Sequence, residues 1–203
     1  MVWTGEEQAW DLLSGLDPAD VQTNAGVTFD HGLSSYILTS FGFDIFISLK
    51  NRDIFSTDPV GEFLVKDLGH LSRLSILWYL FNAEDQPLSG RLIKPSDLPG
   101  GDIYVKGTHV LPLDELSEEF GNNPEEFINW GTSLGGHQLD YGDASLKLFP
   151  FPRIPVVLIL WLEDYEFPSS SAFLFDSSCA MHLPVDILWA TAMMTIEVML
   201  SIQ

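Results

Sequence analysis

Residues 154–162, Ile-Pro-Val-Val-Leu-Ile-Leu-Trp-Leu, restrict the fold more than any other segment of this chain. A run this apolar and this rich in β-branched residues reads as a fully buried strand. Such a strand requires a sheet that other elements cover. Residues 145–149 and 171–175 also read as strands, and Asp164-Tyr165-Glu166-Phe167-Pro168 is the turn between the last two. Pro150, Pro152 and Pro155 crowd the approach to the buried strand. Proline cannot donate to a ladder, so these three are expected at a sheet edge or corner.

Upstream, helix and strand signals alternate in blocks. Ala9, Leu12, Leu13 and Leu16 share one helical face, which predicts a short helix over 6–14. Asp17-Pro18-Ala19-Asp20 starts a second helix, which Gly26 ends. Strands follow at 27–30 and 33–39 around His31-Gly32, then at 43–49 with alternating apolar residues. The spacing of Leu71, Leu74, Trp78 and Phe81 predicts a helix over 67–82 with Asp67 as its cap. Residues 86–107 read as loops around a short strand at 92–94. Helices follow at 113–120, closed by Gly121, and from Asn123-Pro124 to just before Gly135-Gly136. A last helix covers 185–201. This order favours an α+β fold with a mostly antiparallel sheet and helices packed on it. One domain is expected over 1–203, with 185–203 a C-terminal apolar helix.

The chain carries 29 acids and 9 bases, a net charge of −20. All nine bases lie between Lys50 and Arg153, so both ends are stripped of positive charge. That balance excludes a nucleic-acid binder, which needs clustered Lys and Arg, and disfavours an anionic membrane surface. Residues 185–202 approach the length of a bilayer span, but Asp186 and Glu197 interrupt them and no basic flank follows. A buried or partner-facing helix is the better reading. A single cysteine, Cys179, excludes an internal disulfide framework, and no basic n-region opens the sequence. The cytoplasm is the expected compartment.

No catalytic signature is present: no phosphate loop, no H-E-x-x-H, no G-x-S-x-G and no cysteine pair. Residues 131–136, ending in Gly135-Gly136, resemble a glycine loop but follow a helix, so a helix end and turn is the simpler reading. Two groups of acids carry the strongest chemical suggestion. One is Glu163, Asp164, Glu166 and Asp176; the other is Asp140 and Asp143 beside His137 and Tyr141. Hard cations prefer oxygen ligands, so these groups support a divalent-metal enzyme using 140–143 and 163–176. Turn and cap chemistry is the competing reading, with Asp176 capping the amides of Ser177-Ser178. In an extended hairpin Asp176 would lie roughly 20–30 Å from the turn acids. Cys179 and His182 are three apart, but no third group orients them as a nucleophile pair. Trp78, Tyr79, Phe81, Trp161 and Trp189 read as core, with a stacking platform for a planar cofactor as the alternative.

Several short motifs stand in a fixed order: Leu-Asp-Pro, Phe-Gly before an alternating strand, Leu-Trp-Tyr-Leu and Leu-Ser-Gly at 88–90. Gly-Asn-Asn-Pro-Glu-Glu-Phe, Leu-Gly-Gly, Gly-Asp, the 152–168 segment, Leu-Phe-Asp-Ser-Ser and His-Leu-Pro complete the series. Together they resemble the prokaryotic domain of unknown function 3786 family. The resemblance implies accessory work around corrinoid or iron–sulfur metabolism in anaerobes. It covers Gly135, Gly136, Asp143, Asp164, Glu166, Phe167, Pro168 and Asp176. This chain has no Cys-rich module that would hold a cluster of its own.

The leading expectation is therefore a non-catalytic binding or accessory domain that binds a partner protein or a cofactor, or self-associates through the apolar helix. Gly135, Gly136, His137, Asp143, Asp164, Glu166 and Asp176 are its candidate ligand-binding residues. No cofactor and no catalytic residue are assigned. The alternatives are the metal enzyme above and a corrinoid or tetrapyrrole carrier with His137 or His182 as axial ligand.

Overall fold

The computed structural model describes residues 4–104 and 109–201. Helix α1 (Thr4–Ser14) buries Ala9, Trp10 and Leu13 and stops before Leu16, which is exposed. Helix α2 (Pro18–Ala25) follows its cap signals. The Asp17 carboxylate accepts the Ala19 N–H at 2.9 Å, Pro18 occupies the first turn, and Gly26 closes the helix at φ 65°.

Four strands then form an antiparallel meander in sequence order: β1 (Thr28–Asp30), β2 (Ser35–Ser40), β3 (Phe43–Ser48) and β4 (Asp53–Ser56). The first connection spans four residues rather than the two of His31-Gly32. Asp30 Oδ1 accepts the N–H groups of Gly32 and Leu33, which stretches the turn to Ser34. Phe41 and Gly42 make a two-residue turn with both φ angles positive, the geometry that matches the twist of a tight hairpin. Strand β4 had no sequence signal, because four residues are too few to show alternation.

Helix α3 (Pro59–Glu62), capped by Asp58, runs into a π-helical turn at Phe63–Asp67. Asp67 therefore ends that turn instead of capping the next helix, and α4 (His70–Asn82) begins three residues later than its periodicity predicts. The deep face of α4 is Ser72, Ser75, Ile76, Leu77, Tyr79 and Leu80; the predicted stripe of Leu71, Leu74, Trp78 and Phe81 is half-buried.

The second sheet comprises β5 (Leu92–Ile93), β6 (His137–Gln138), β7 (Ala144–Phe151), β8 (Ile154–Trp161) and β9 (Ser170–Asp176), in the order β5-β9-β8-β7-β6. Every neighbouring pair is antiparallel. The fold is α+β, with its strands divided between two antiparallel sheets. Helices α5 (Leu113–Phe120) and α6 (Pro124–Ser133) interrupt the sheet in sequence, and α7 (Cys179–His182) and α8 (Val185–Leu200) follow it. Residues 105–107 of the predicted loop stretch, and Ile202 and Gln203 of the predicted C-terminal helix, lie outside the described residues.

Strand β8 is the central strand of its sheet, and Ile154 to Leu160 are all buried. The prolines gather at the β7–β8 corner rather than on an edge strand, with Pro150 inside β7 and Pro155 inside β8. Pro152 lies in the β7–β8 turn, and the register slips between Leu148 and Phe151, opposite Pro155. Helix α8 turns its apolar residues inward; Ile187, Leu188, Met194, Ile196, Val198 and Met199 join the continuous core. Burial within the chain thus accounts for the hydropathy of that helix. No described helix is long and apolar enough to cross a membrane.

Two junctions lock the layers together. At the first, the Phe41 N–H donates to Phe149 O at 2.9 Å and Ser40 Oγ–H donates to Pro150 O at 2.8 Å. There Gly42 and Gly135 approach so closely that a Cβ on Gly135 would stand 3.2 Å from the Gly42 Cα. At the second, the Tyr79 ring stacks on Phe151 with centroids 4.6 Å apart. Its hydroxyl donates to Ala25 O at 2.6 Å and accepts the Arg153 N–H at 3.1 Å. The Arg153 guanidinium reaches Thr23 O, Gln86 O and the Asp85 carboxylate.

The corner after α6 has no room for a side chain at position 136. A Cβ there would sit 2.6 Å from Gly131 O and 2.7 Å from Leu148 Cδ2. Gly136→Ala is therefore expected to destabilise the chain by about 1–3 kcal/mol, the usual range for overpacking. Urea unfolding should show a lower midpoint with an unchanged slope; an unshifted midpoint would contradict this packing.

Candidate functional site

Asp143, Asp164 and Glu166 stand at the turn end of the β8–β9 hairpin, Asp176 at its other end, and Gly135, Gly136 and His137 at a corner away from both. At the turn end, Trp161 pairs with Ser170 and residues 162–169 form the connection. Asp164 Oδ1 accepts the N–H groups of Glu166 at 2.7 Å and Phe167 at 2.8 Å, while the Asp164 N–H donates to Phe167 O. These amides, Glu166 first and then Phe167, hold the Asp164 carboxyl below the usual carboxylate range. Asp143 ties the neighbouring loop to the same end. Its Oδ2 accepts the Leu162 N–H at 2.8 Å, and its own N–H donates to Leu160 O at 3.0 Å. Ser145 fixes that loop internally, donating to Leu139 O and accepting the Tyr141 N–H.

The two groups of acids therefore do meet in part: 140–143 adjoins 162–166. Large aromatics stand among them. Tyr165 is fully exposed, Phe167 is 66% exposed, Tyr141 49% and Trp161 40%. Trp161, Ile159 and Val157 alternate onto one face of β8, flanked by half-buried Ala172 and Leu174 on β9. Val157 and Ile159 are buried yet stand outside the continuous core. Gly135 and Gly136 form the corner where α6 meets β6. His137 follows on that edge strand, solvent-exposed, with its ring edge-on to Phe149 at 5.8 Å.

Asp176 is placed apart from the rest. It closes the opposite end of β9, six residues beyond Ser170, or roughly 20 Å along a strand. The residue is 4% exposed, and its carboxylate accepts five hydrogen bonds. Oδ1 takes the N–H and Oγ–H of both Ser89 and Ser178, and Oδ2 takes the Gly90 N–H at 2.8 Å. Burial alone would raise its pKa; the donors of Ser178 and then Ser89 outweigh burial and hold it at about 2. The Leu-Ser-Gly and Leu-Phe-Asp-Ser-Ser motifs are thus joined through one carboxylate. Sequence spacing could not show this, because Ser89 and Asp176 are 87 residues apart.

Beside this latch, Cys179 and His182 sit on α7 and are both buried. Burial, and then the Asp176 charge, push the Cys179 thiol up to about 12. His182 Nδ1 accepts the Glu84 N–H at 3.3 Å, and Nε2 is buried without a partner among the described residues. Burial, and then Arg153, lower its pKa. His182 has no exposed surface for an axial-ligand role, whereas His137 does. Of the five aromatics singled out, Tyr79 is core, Trp78, Phe81 and Trp189 are half-buried, and Trp161 is exposed. Among the described residues, no three His, Cys, Asp or Glu side chains group as metal ligands would. One metal centre shared by Asp143, Asp164 and Asp176 is not formed. The exposed aromatics were the feature that periodicity missed. Their signal was the placement of Tyr165 and Phe167 inside a turn, where nothing can cover them.

These features define an α+β chain whose motif residues mostly serve turns, corners and one buried carboxylate latch. The profile of the family described as Domain of unknown function (DUF3786) matches residues 17–198, and the chain belongs to that family. No curated protein and no solved structure matches the chain.

The latch has a measurable acid signature. Its folded pKa is depressed, so its stabilisation is present above the unfolded value near 4 and is lost as pH falls toward about 2. The shift corresponds to about 2 kcal/mol. Urea unfolding between pH 6 and 2 should show that Asp176→Asn is less stable than wild type at pH 6 and loses less stability on acidification. Parallel losses in the two proteins would contradict the latch.

Proposed function

We propose that this chain is a non-catalytic binding or accessory domain that works in the cytoplasm as one unit. In this reading it docks a basic partner protein through the turn end of the β8–β9 hairpin. The observation that carries it is the exposure of Tyr141, Trp161, Tyr165 and Phe167 on a braced scaffold. Tyr and Trp are the commonest interface anchors, and several large aromatics exposed at one end of a hairpin suit a partner surface. The bonds from Asp143 and Asp164 support the reading, because a preorganised loop loses little entropy on binding. Asp140, Asp143, Glu163, Asp164 and Glu166 around the aromatics favour a partner rich in Lys and Arg. The family resemblance would set that partner within corrinoid or iron–sulfur metabolism of anaerobes. In this reading Gly135, Gly136 and His137 belong to the α6–β6 corner and lie outside the docking turn, and Asp176 holds the scaffold.

The test uses a synthetic helical peptide rich in Arg and Leu. The double variant Tyr165→Ser/Phe167→Ser leaves net charge unchanged, so it separates the aromatic patch from bulk attraction to an acidic protein. Truncating two anchors is expected to weaken binding by about tenfold or more. Hydrogen exchange on the wild-type complex should show new protection at 140–143 and 162–168. Equal affinity in the variant, or protection confined elsewhere, would remove the docking reading.

A further inference from the structure

We infer that the cavity between the π-helical turn and the C-terminal end of α8 binds a small organic ammonium ion with an apolar body. This site is separate from the docking surface and does not rest on it. The cavity has a volume of about 650 Å³, within the range of small-molecule sites. Val60, Phe63, Trp130 and Leu200 supply apolar wall, and Asp67 and Glu197 supply charge. The Trp130 indole N–H donates to Val198 O at 3.0 Å, which holds that ring against the end of α8. A π-helical wall is itself a feature that recurs at functional sites.

The charges are placed against local electrostatics. Helix α8 contains two acids. Asp186 lies in the first turn, where the helix dipole favours it; Glu197 lies in the last turn, where the dipole opposes it. Asp67 likewise ends the π-helical turn. Among the described residues neither carboxylate has a hydrogen-bond or ion-pair partner, and Glu197 is only partly exposed. The one base on the wall, Lys66, is paired with Glu62 at 2.8 Å. Two unpaired carboxylates and two aromatic rings therefore face a cavity that lacks a free cation. The carboxylates suit an ammonium head, and Phe63 and Trp130 suit both an apolar body and cation–π contact. A bare metal ion fits less well, since no group of three ligand side chains exists among the described residues.

Isothermal titration of the whole chain with 2-phenylethylammonium chloride, against the uncharged isostere 2-phenylethanol, tests the assignment. Saturable one-to-one binding of the ammonium ion is expected, about tenfold tighter than the alcohol. Glu197→Gln and Asp67→Asn should each weaken it by about fivefold or more, while Glu7→Gln, on exposed α1 surface, leaves it unchanged. Glu197→Gln should also raise the melting temperature, since it removes an unpaired charge from the wrong end of a helix. The proposal is overturned if no saturable binding is found, if the alcohol binds as tightly, or if Glu7→Gln and Glu197→Gln weaken binding alike. A lowered melting temperature for Glu197→Gln would overturn it too, by showing a structural partner for the carboxylate.

Discussion

Strand β8 is apolar from Ile154 to Leu160, so that stretch cannot be left to water. The second sheet is built around that constraint. Strands β7 and β9 satisfy its backbone on both edges. Val156, Leu158 and Leu160 then share a layer with Leu146, Leu148, Phe173 and Phe175, and all seven are essentially inaccessible. Small residues let the helices close on this layer: a Cβ on Gly131 of α6 would collide with Leu146, and one on Gly136 with Leu148. The period of two that sets this face also sets the other. Val157, Ile159 and Trp161 are carried to the opposite side, where cover thins until Trp161 stands 40% exposed. The strand that organises the core thus also delivers an aromatic to the surface.

The ends of the hairpin differ because their polar groups are satisfied differently. At the β9 terminus the chain buries a full carboxylate, which is tolerable only with its oxygens fully bonded. Asp176 achieves this with five donors from two segments, so ordering it also orders residues 89–90 and 178. Tyr79 and Arg153 do the same work nearby for the end of α2 and the β7–β8 turn. At the turn end, Asp143 and Asp164 spend single oxygens on backbone amides and leave the aromatics uncovered. One end is closed on itself, and the other is braced but open.

Most elements were legible in the sequence where local chemistry decides them. The α2 cap, the buried strand, the proline corner and the last helix all follow from residues within a few positions of one another. Failures occurred where distant packing decides. Asp67 looks like a cap, yet the helical segment from Pro59 extends through it as a π-turn, so α4 starts after Gly69. The spacing that reveals α4 marks its half-buried stripe, because α4 is covered on several sides and its deepest face includes Ser72 and Ser75, whose hydroxyls bond to backbone. Of the candidate site, spacing correctly separated Asp176 from the turn acids. It could not bring Asp143 to Leu162, because that contact depends on how β7 aligns with β8.

The charge distribution gives the two surfaces a common cause. Two of the seven acids in the base-free N-terminal segment are paired with later bases: Asp11 with Arg52, and Glu6 with Arg73, the latter pair partly buried. Asp85 and Glu62 take Arg153 and Lys66. Among the described residues, none of the acids after residue 154 has such a partner. Asp176 is the sole one among them that is compensated by a ring of buried donors. Glu163, Asp164, Glu166, Asp186 and Glu197 are left with a net negative field that the chain itself does not cancel. Exposed ion pairs contribute little to stability, so leaving these acids unpaired costs the fold little. What the arrangement does provide is attraction for an external cation, short-ranged at physiological salt and therefore strongest where apolar surface holds the cation in place. In the two proposals those places are the hairpin turn, with Tyr165 and Phe167, and the end of α8, with Phe63 and Trp130.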